Sequence, residues 1–259
     1  MKRYATLTAL ALLAAAPATA QDFDWKGRIA IGKWLEVKGV NGAVRASAAT
    51  GGEAQVTARK VAGDRGAPED VEIRVVEHED GVTICAVYPT PPRARRENTC
   101  EAGEHWSSSN QDNDVRVHFT VRVPAGVKFR GTTVNGEMEA EGLAADAVVS
   151  TVNGSVRVST TGFAEAHTVN GSIHATMGRA DWSDEADFRT VNGSIELTFE
   201  AELHAELRAE TVNGDIESDW PVTVHGRFGP KRVTGTIGRG GRVLHLETVN
   251  GDITLKKSS

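Results

Sequence analysis

The sequence predicts an all-β protein, and three observations support this fold class. After the first 20 residues there are 29 Val, 9 Ile and 21 Thr against only 8 Leu, and these β-branched residues favour strands. Apolar and polar residues alternate with a period of two in many segments, which is typical of a strand with one buried face. The tripeptide Val-Asn-Gly occurs seven times, and such repetition indicates a repeat architecture.

The first 20 residues are predicted to be a signal peptide rather than part of the fold. Lys2 and Arg3 precede a short apolar stretch, and Ala18-Thr19-Ala20 forms a small-x-small cleavage site. The apolar stretch is too short for a membrane span, which needs roughly 20 residues. We therefore expect an exported chain of residues 21–259, in the periplasm, secreted or at the cell surface, with no transmembrane span.

Charge and composition exclude several classes of function. The chain has 259 residues, with 25% charged and 39% hydrophobic residues, so extensive disorder and a multi-span membrane protein are not expected. Residues 21–259 contain 27 basic and 35 acidic residues, a net charge of −8. An acidic chain without a dense basic stripe argues against nucleic acid as a partner.

Residues 21–130 are predicted to form the N-terminal strand part of one continuous domain. Period-two alternation predicts six spaced strands there: Ile29 to Ile31, Val44 to Ala46, Gln55 to Lys60, Val71 to Glu77, Val82 to Tyr88 and Val115 to Val123. Between the last two strands, residues 89–114 show no strand pattern. A loop of this length in a compact domain is either functional or a plain surface connection.

The two cysteines, Cys85 and Cys100, are predicted to form one disulfide that tethers the 89–114 loop. An exported chain reaches an oxidising compartment, where a single pair of cysteines is expected to be joined. The loop also contains a group of cationic and aromatic residues that could contact an anionic or sugar partner: Arg93, Arg95, Arg96, His105 and Trp106. The alternative is a tethered surface loop that has no partner.

Residues 131–259 are predicted to hold the regular repeats. In six of the seven copies Thr precedes Val-Asn-Gly, and these six Asn residues are separated by 18, 17, 22, 21 and 37 residues. The 37-residue step suggests a degenerate copy without Asn at residues 233–237. The Asn-Gly pairs are Asn41 and Gly42, Asn135 and Gly136, Asn153 and Gly154, Asn170 and Gly171, Asn192 and Gly193, Asn213 and Gly214, and Asn250 and Gly251.

Two architectures could use these pairs. Asn-Gly favours turns that need positive φ, so each pair could close a hairpin in an antiparallel sandwich. Alternatively, each repeat of about 20 residues could be one coil of a β-solenoid, with the Asn side chains hydrogen-bonded along a ladder from coil to coil. The constant phase of Thr and Val before Asn-Gly favours the β-solenoid, because stacking aligns identical residues.

The repeated Thr-Val-Asn-Gly-[Ser/Asp/Glu]-[Ile/Val/Met] unit resembles the putative-adhesin family of exported β-strand-repeat proteins, also called toastrack-type domains. The segments 35–42 and 121–127 are similar to the family's opening strand and to its strand before the repeats. The resemblance covers the chain from about Trp34 to Leu255. It implies a right-handed β-solenoid in the cell envelope, and it implies no catalytic residues.

No recognised catalytic, nucleotide-binding or metal-binding motif is present, so no catalytic residue, metal ligand or cofactor is predicted. The sequence favours a non-enzymatic cell-envelope protein, an adhesin or a binding or scaffold module for an envelope or extracellular glycan or protein. One alternative is a polysaccharide-active enzyme that uses a row of carboxylates after the turn glycines, at Glu137, Asp215 and Asp252. Another is a sensory envelope module that binds a second protein.

Overall fold

The structure is a computed structural model that describes residues 23–103, 106–179, 182, 185–200, 202–225 and 230–258. The predicted all-β class is confirmed, since the described residues form strands and connecting segments, with a short 3-10 turn at Pro68–Asp70. None of the helical structure in these ranges is long and apolar enough to cross a membrane. The predicted signal peptide, residues 1–20, lies outside the described residues.

The strands are β1 (Phe23–Gly27), β2 (Trp34–Lys38), β3 (Val44–Ala48), β4 (Ala54–Val61), β5 (Glu72–His78), β6 (Gly81–Val87), β7 (Arg116–Val123), β8 (Lys128–Thr132), β9 (Met138–Leu143), β10 (Ala147–Ser150), β11 (Val156–Thr160), β12 (Ala164–His167), β13 (Ile173–Met177), β14 (Glu185–Arg189), β15 (Ile195–Phe199), β16 (Ala205–Asn213), β17 (Ile216–Ser218), β18 (Thr223–His225), β19 (Lys231–Ile237), β20 (Val243–Asn250) and β21 (Ile253–Lys257).

These strands form two sheets. Sheet A has the order β1-β4-β7-β3-β9-β11-β13-β15-β21-β17, and sheet B has the order β18-β19-β16-β20-β14-β12-β10-β8-β2-β6-β5. Every Val-Asn-Gly unit connects a strand of sheet B to a strand of sheet A, and we call each such pair of strands a coil. Strands of successive coils pair in parallel. The hairpin alternative is therefore wrong for the repeats, because the two strands that flank each unit lie in different sheets.

The core lies between the sheets and consists of aligned aliphatic rows. In sheet A, Val156 pairs with Ile173, Ile173 with Ile195, and Ile195 with Ile253, and all four are buried. Parallel pairing in register places similar side chains one strand spacing apart, about 4.8 Å. Small and β-branched aliphatic side chains fill this narrow space, which accounts for the low content of Leu and aromatic residues.

Antiparallel strands stand at the ends of the parallel stack. At one end, β1 pairs with β4 and β4 with β7, while β5 pairs with β6. The strand predicted at Ile29 to Ile31 is wrong, because this segment makes a turn there and Ile31 is 83% exposed. Apolar residues alone suggested a strand, but no neighbouring strand offers this segment a partner.

The degenerate copy predicted at residues 233–237 is also wrong. This segment belongs to β19, which pairs antiparallel with β16 and β18 at the edge of sheet B. The chain then returns as β20, which inserts between β14 and β16. The 37-residue step therefore contains an antiparallel excursion, and the coil of Asn250 lies between those of Asn192 and Asn213.

Candidate functional site

The seven Asn residues of the repeats stack in one line at the same corner of the coils. Beyond Asn41 at one end, the Nδ2 of each Asn donates a hydrogen bond of 2.7–2.9 Å to Oδ1 of the Asn in the preceding coil of the stack. The order along this Asn ladder is Asn41, Asn135, Asn153, Asn170, Asn192, Asn250 and Asn213. Both the donor and the acceptor of an inner amide are thus used within the stack.

The glycine after each Asn is required by close packing between coils. A Cβ on Gly171 would lie 2.1 Å from the carbonyl oxygen of Gly154. A Cβ would lie 2.0–2.1 Å from the carbonyl oxygen of a glycine in the adjacent coil at five other positions: Gly136, Gly154, Gly193, Gly214 and Gly251. None of the seven Asn residues adopts the positive φ that an Asn-Gly hairpin turn needs. The motif therefore reflects stacking rather than hairpin turn geometry.

The Thr and Val of the motif have separate roles. The Thr side chain is buried, and its Oγ1 donates a hydrogen bond to the glycine carbonyl oxygen of the adjacent coil, as Thr168 does to Gly154 at 2.9 Å. In four copies the Val side chain points outward, since Val152, Val169, Val191 and Val212 are each about 40% exposed, whereas Val134 packs against the core. Three of the four motif positions thus bond or pack against the neighbouring coil.

Replacing Asn170 with alanine is expected to lower the free energy of unfolding by about 1–2 kcal/mol. The substitution removes one hydrogen bond that Asn170 donates to Asn153 and one that it accepts from Asn192, each worth about 1 kcal/mol. Chemical denaturation of the purified protein measures the change. Val169→Thr is the matched control at the neighbouring exposed position and should be nearly neutral, and an unchanged midpoint for Asn170→Ala would contradict the ladder's contribution.

The residues after the turn glycines do not form a catalytic carboxylate row. Three serines separate Glu137 from Asp252 along the stack, so the carboxylates do not converge. Glu137 pairs with Arg45, Asp215 pairs with Lys231, and Oδ1 of Asp252 accepts a hydrogen bond from the backbone N–H of Asp215. These three carboxylates therefore contact surface cations and a backbone N–H. Their arrangement does not support the alternative in which they act together in catalysis.

The 89–114 loop is fixed on the outer face of sheet B. The predicted disulfide is present, with Cys85 on β6 bonded to Cys100 and 5.6 Å between their Cα atoms. Nζ of the buried Lys38 donates hydrogen bonds to the carbonyl oxygens of Glu101, at 2.6 Å, and Gly103. The buried Asn98 holds the loop internally through Tyr88 and Ser109. The described part of the loop is therefore held against sheet B by a disulfide and by hydrogen bonds of buried side chains.

Of the loop residues predicted to bind a partner, Trp106 lines a groove described below, whereas the three arginines do not. Trp106 is half-buried, and Nζ of Lys38 lies 5.6 Å from its ring centre. Arg93, Arg95 and Arg96 are exposed and do not line the groove beside Trp106. His105 lies outside the described residues. Hydrophobic burial and the Lys38 cation account for the position of the Trp106 ring.

Trp106 forms one wall of a groove of about 340 Å³ on the outer face of sheet B, which we call the sheet B groove. Strands β2, β8, β10 and β12 supply its floor. The residues that line it are Glu36, Gly103, Trp106, Arg130, Thr132, Val148, Val149, Ser150, Glu165 and His167. Aromatic, cationic, anionic and hydroxyl groups thus face a single concave surface.

A buried ion pair lies under the loop end of the groove. Oε1 of Glu36 is 3.4 Å from Nζ of Lys38, and both side chains are almost fully buried. Oε2 of Glu36 accepts hydrogen bonds from Thr83 Oγ1 and from the backbone N–H of Gly103, whereas Oε1 accepts none. Burial lowers the pKa of Lys38, and the contact with Glu36 opposes this shift.

A second cluster lies at the other end of the groove, where Glu165 and His167 of β12 face Asp187 of β14. Burial raises the pKa of Glu165. Contact with Asp187 raises the pKa of His167, against the effect of burial. For Asp187 itself, burial acts to raise the pKa, but contacts with His167 and Arg189 outweigh it and hold the pKa below its ordinary value.

Sequence reasoning missed both clusters. Glu36, Arg130, Glu165 and Asp187 lie up to 151 residues apart in the sequence, and no motif joins them. Only the parallel register places Glu36 opposite Arg130 and His167 opposite Arg189. The available signal was the alternation within each strand, which assigns these residues to the outer face without indicating their neighbours across the sheet.

The fold and the Asn ladder define a class of all-β protein built from parallel coils in two sheets. The Toastrack family, described as Toastrack DUF4097, matches residues 104–256, more than half of the chain. The chain therefore belongs to this family, and the resemblance noted in the sequence is confirmed.

Solved structures similar to this chain share little sequence with it. One is a putative cell adhesion protein from Clostridium sporogenes, 11% identical, covering 92% of this chain and 100% of that chain, with a TM-score of 0.43. Another is a putative adhesin from Bacteroides fragilis, 13% identical, covering 93% and 98%, with a TM-score of 0.34. A search of curated proteins finds no match.

Proposed function

We propose that this chain is a non-enzymatic exported protein of the cell envelope that binds an envelope or extracellular partner in the sheet B groove. The observation that carries the proposal is the position of the disulfide-tethered loop, which places Trp106 beside a floor of charged and hydroxyl side chains. A fixed concave surface with one aromatic side chain and several polar groups is suited to binding. Adhesin or scaffold activity would follow from such binding.

Export is supported by two features. The first 20 residues have the pattern of a signal peptide, and disulfides such as Cys85–Cys100 persist in oxidising compartments. We infer that residues 21–259 are the exported chain, in the periplasm, secreted or at the cell surface. We also infer that its coils form a right-handed β-solenoid, because crossover connections between parallel strands are almost always right-handed.

A charged glycan is the partner class that the groove chemistry favours. Arg130 and Glu165 offer charges of both signs, Thr132 and Ser150 offer hydroxyl groups, and Trp106 offers an apolar ring surface. Sugar rings that carry carboxylate or amino groups present matching chemistry, whereas nucleic acid is disfavoured by the net charge of −6 of the full chain. An envelope protein that binds the same groove is the second outcome of the test.

Replacing Trp106 with alanine is expected to weaken binding to envelope glycans by about 30-fold, the effect of removing an aromatic anchor worth about 2 kcal/mol. The purified protein is assayed against immobilised peptidoglycan fragments and acidic polysaccharides by surface plasmon resonance. Arg95→Ala is the matched control, because Arg95 is exposed on the same loop but lies outside the groove.

Equal binding by the Trp106→Ala variant, with an unchanged melting curve, would rule out the groove as the glycan site. Capture of an envelope protein instead, lost in the same variant, would assign the groove to a protein partner. Release of reducing sugar ends that stops in a Glu165→Gln variant would replace the proposal with the enzymatic alternative.

A further inference from the structure

We propose that Glu165, His167 and Asp187 form a binding site for one divalent transition-metal ion, with Zn²⁺ as the ion that its ligand chemistry fits best. The inference goes beyond glycan or protein binding and does not depend on it. Each residue offers one ligand atom, and these atoms all lie within 4.8 Å of one another. Among the described residues this is the single group of His, Cys, Asp or Glu with that property.

The strand register creates the group. Residues 165 and 167 of β12 point to the outer face together because they are two positions apart, and β14 runs parallel to β12 with His167 opposite Arg189. That register places Asp187 beside Glu165 in the next strand. The three ligands therefore come from the centre of sheet B, where strands of neighbouring coils flank both β12 and β14.

Two of the three distances within the group match those between ligands of one metal ion, and the third, between the two carboxylates, is at most 4.8 Å. Nε2 of His167 is 3.3 Å from Oδ2 of Asp187 and 3.6 Å from Oε1 of Glu165. For Zn²⁺ bonded at about 2.0–2.1 Å in tetrahedral geometry, ligand atoms are separated by about 3.4 Å. Binding an ion with all three atoms would require the two carboxylates to lie at a similar separation, which a rotation of the Glu165 side chain could supply.

The ring nitrogen of His167 provides an independent indication of a ligand. Nε2 is shielded from solvent and makes no hydrogen bond of good geometry, although it lies 3.3 Å and 3.6 Å from the two carboxylates. A buried polar atom without a partner is uncommon and costs free energy. A metal ion between Nε2 and the carboxylate oxygens would coordinate all three atoms at once.

The surrounding charges orient the cluster without blocking it. Nε of Arg189 lies 2.8 Å and Nδ1 of His245 lies 3.1 Å from Oδ1 of Asp187, so these groups hold one carboxylate oxygen while Oδ2 faces His167. The Arg130 guanidinium lies 4.6 Å from the ring centre of Trp34 and 3.9 Å from Oε1 of Glu36. Groups that fix the orientation of ligands in this way are usual around metal sites.

The ligand types select among metal ions. One imidazole and two carboxylates suit Zn²⁺ and related ions, whereas Ca²⁺ takes six to eight oxygen ligands and Mg²⁺ prefers an octahedral oxygen set. Three protein ligands leave a fourth position for water or for an atom of a bound molecule. Glu165 and His167 also line the sheet B groove, so a molecule bound in the groove could reach the fourth coordination position.

Isothermal titration of the EDTA-treated, dialysed protein with Zn²⁺ tests the proposal, and we expect one saturable site. His167→Ala and Glu165→Gln should each weaken it by at least about 10-fold, since even residues that only orient metal ligands contribute that much. His174→Ala is the matched control, because His174 is an exposed histidine on β13 in the other sheet. Circular dichroism of each variant shows whether it is folded.

A spectroscopic measurement separates this site from weak surface binding. Co²⁺ added to the purified protein should give the strong visible absorption of a four-coordinate site, and His167→Ala should abolish it while His174→Ala leaves it. The proposal would be overturned if the wild-type protein showed no saturable binding. It would also be overturned if the folded Glu165→Gln and His167→Ala variants bound the metal as tightly as the wild-type protein. Loss of metal binding without loss of glycan binding would leave the proposed function intact.

Discussion

Replacing Gly171 with alanine is expected to destabilise the protein by more than about 3 kcal/mol, above the usual cost of overpacking. The added Cβ would lie 2.1 Å from the carbonyl oxygen and 2.5 Å from the carbonyl carbon of Gly154. The coils cannot separate locally, because the N–H of Gly171 donates to Asn192 and the N–H of Gly154 donates to Asn170. Thermal and chemical unfolding of the purified protein measure the loss.

Gly235→Ala is the matched control for this substitution. Gly235 also lies in a strand, in β19, but a Cβ there would meet its nearest atom at 3.8 Å, an ordinary van der Waals contact. We therefore expect a change of at most about 1 kcal/mol. Similar stability of the two variants would show that the stack tolerates wider spacing at the glycine row, and the steric explanation of the motif would be wrong.

Removing the disulfide with Cys85→Ala and Cys100→Ala together is expected to cost about 3 kcal/mol. The bond joins residues 15 apart in sequence, and closing a loop of this size restricts the unfolded chain by about that amount. For a chain of this length the melting temperature should fall by about 6–12 °C. Differential scanning calorimetry of the wild-type protein and the double variant measures both quantities.

Reduction of the wild-type protein provides the control. Dithiothreitol should lower its melting temperature to that of the double variant and leave the variant unchanged. Thiols that titrate in the native, non-reduced protein, or a double variant that melts like the wild type, would contradict the role assigned to this bond. Loss of groove binding on reduction would further link the bond to the placement of Trp106.

The repeats were the part of the fold most open to prediction. A stack of parallel coils imposes the same environment on every copy, so Thr168, Asn170 and Gly171 recur as a unit in the other copies. The physical cause of the motif was less accessible. Asn-Gly is also a hairpin signal, and sequence alone cannot separate a glycine needed for positive φ from one needed because a neighbouring carbonyl leaves no space.

The ends of the stack were predicted less well. Spacing suggested a degenerate copy at residues 233–237. The structure instead pairs β19 antiparallel with β16 and inserts β20 between β14 and β16. The alternation of apolar residues is the same in a parallel coil and an antiparallel edge strand. The identity of the neighbouring strand therefore cannot be obtained from periodicity.

The sequence by itself determined the all-β class, the repeat and the pairing of Cys85 with Cys100, because local propensity, periodicity and the number of cysteines suffice for these. Only the tertiary structure decided which outer-face side chains become neighbours. Glu165, His167 and Asp187 meet because β14 pairs with β12 in one register, and Trp106 borders them because the disulfide and Lys38 hold its loop on sheet B. Long-range pairing sets these contacts, and it leaves no local signature in the chain.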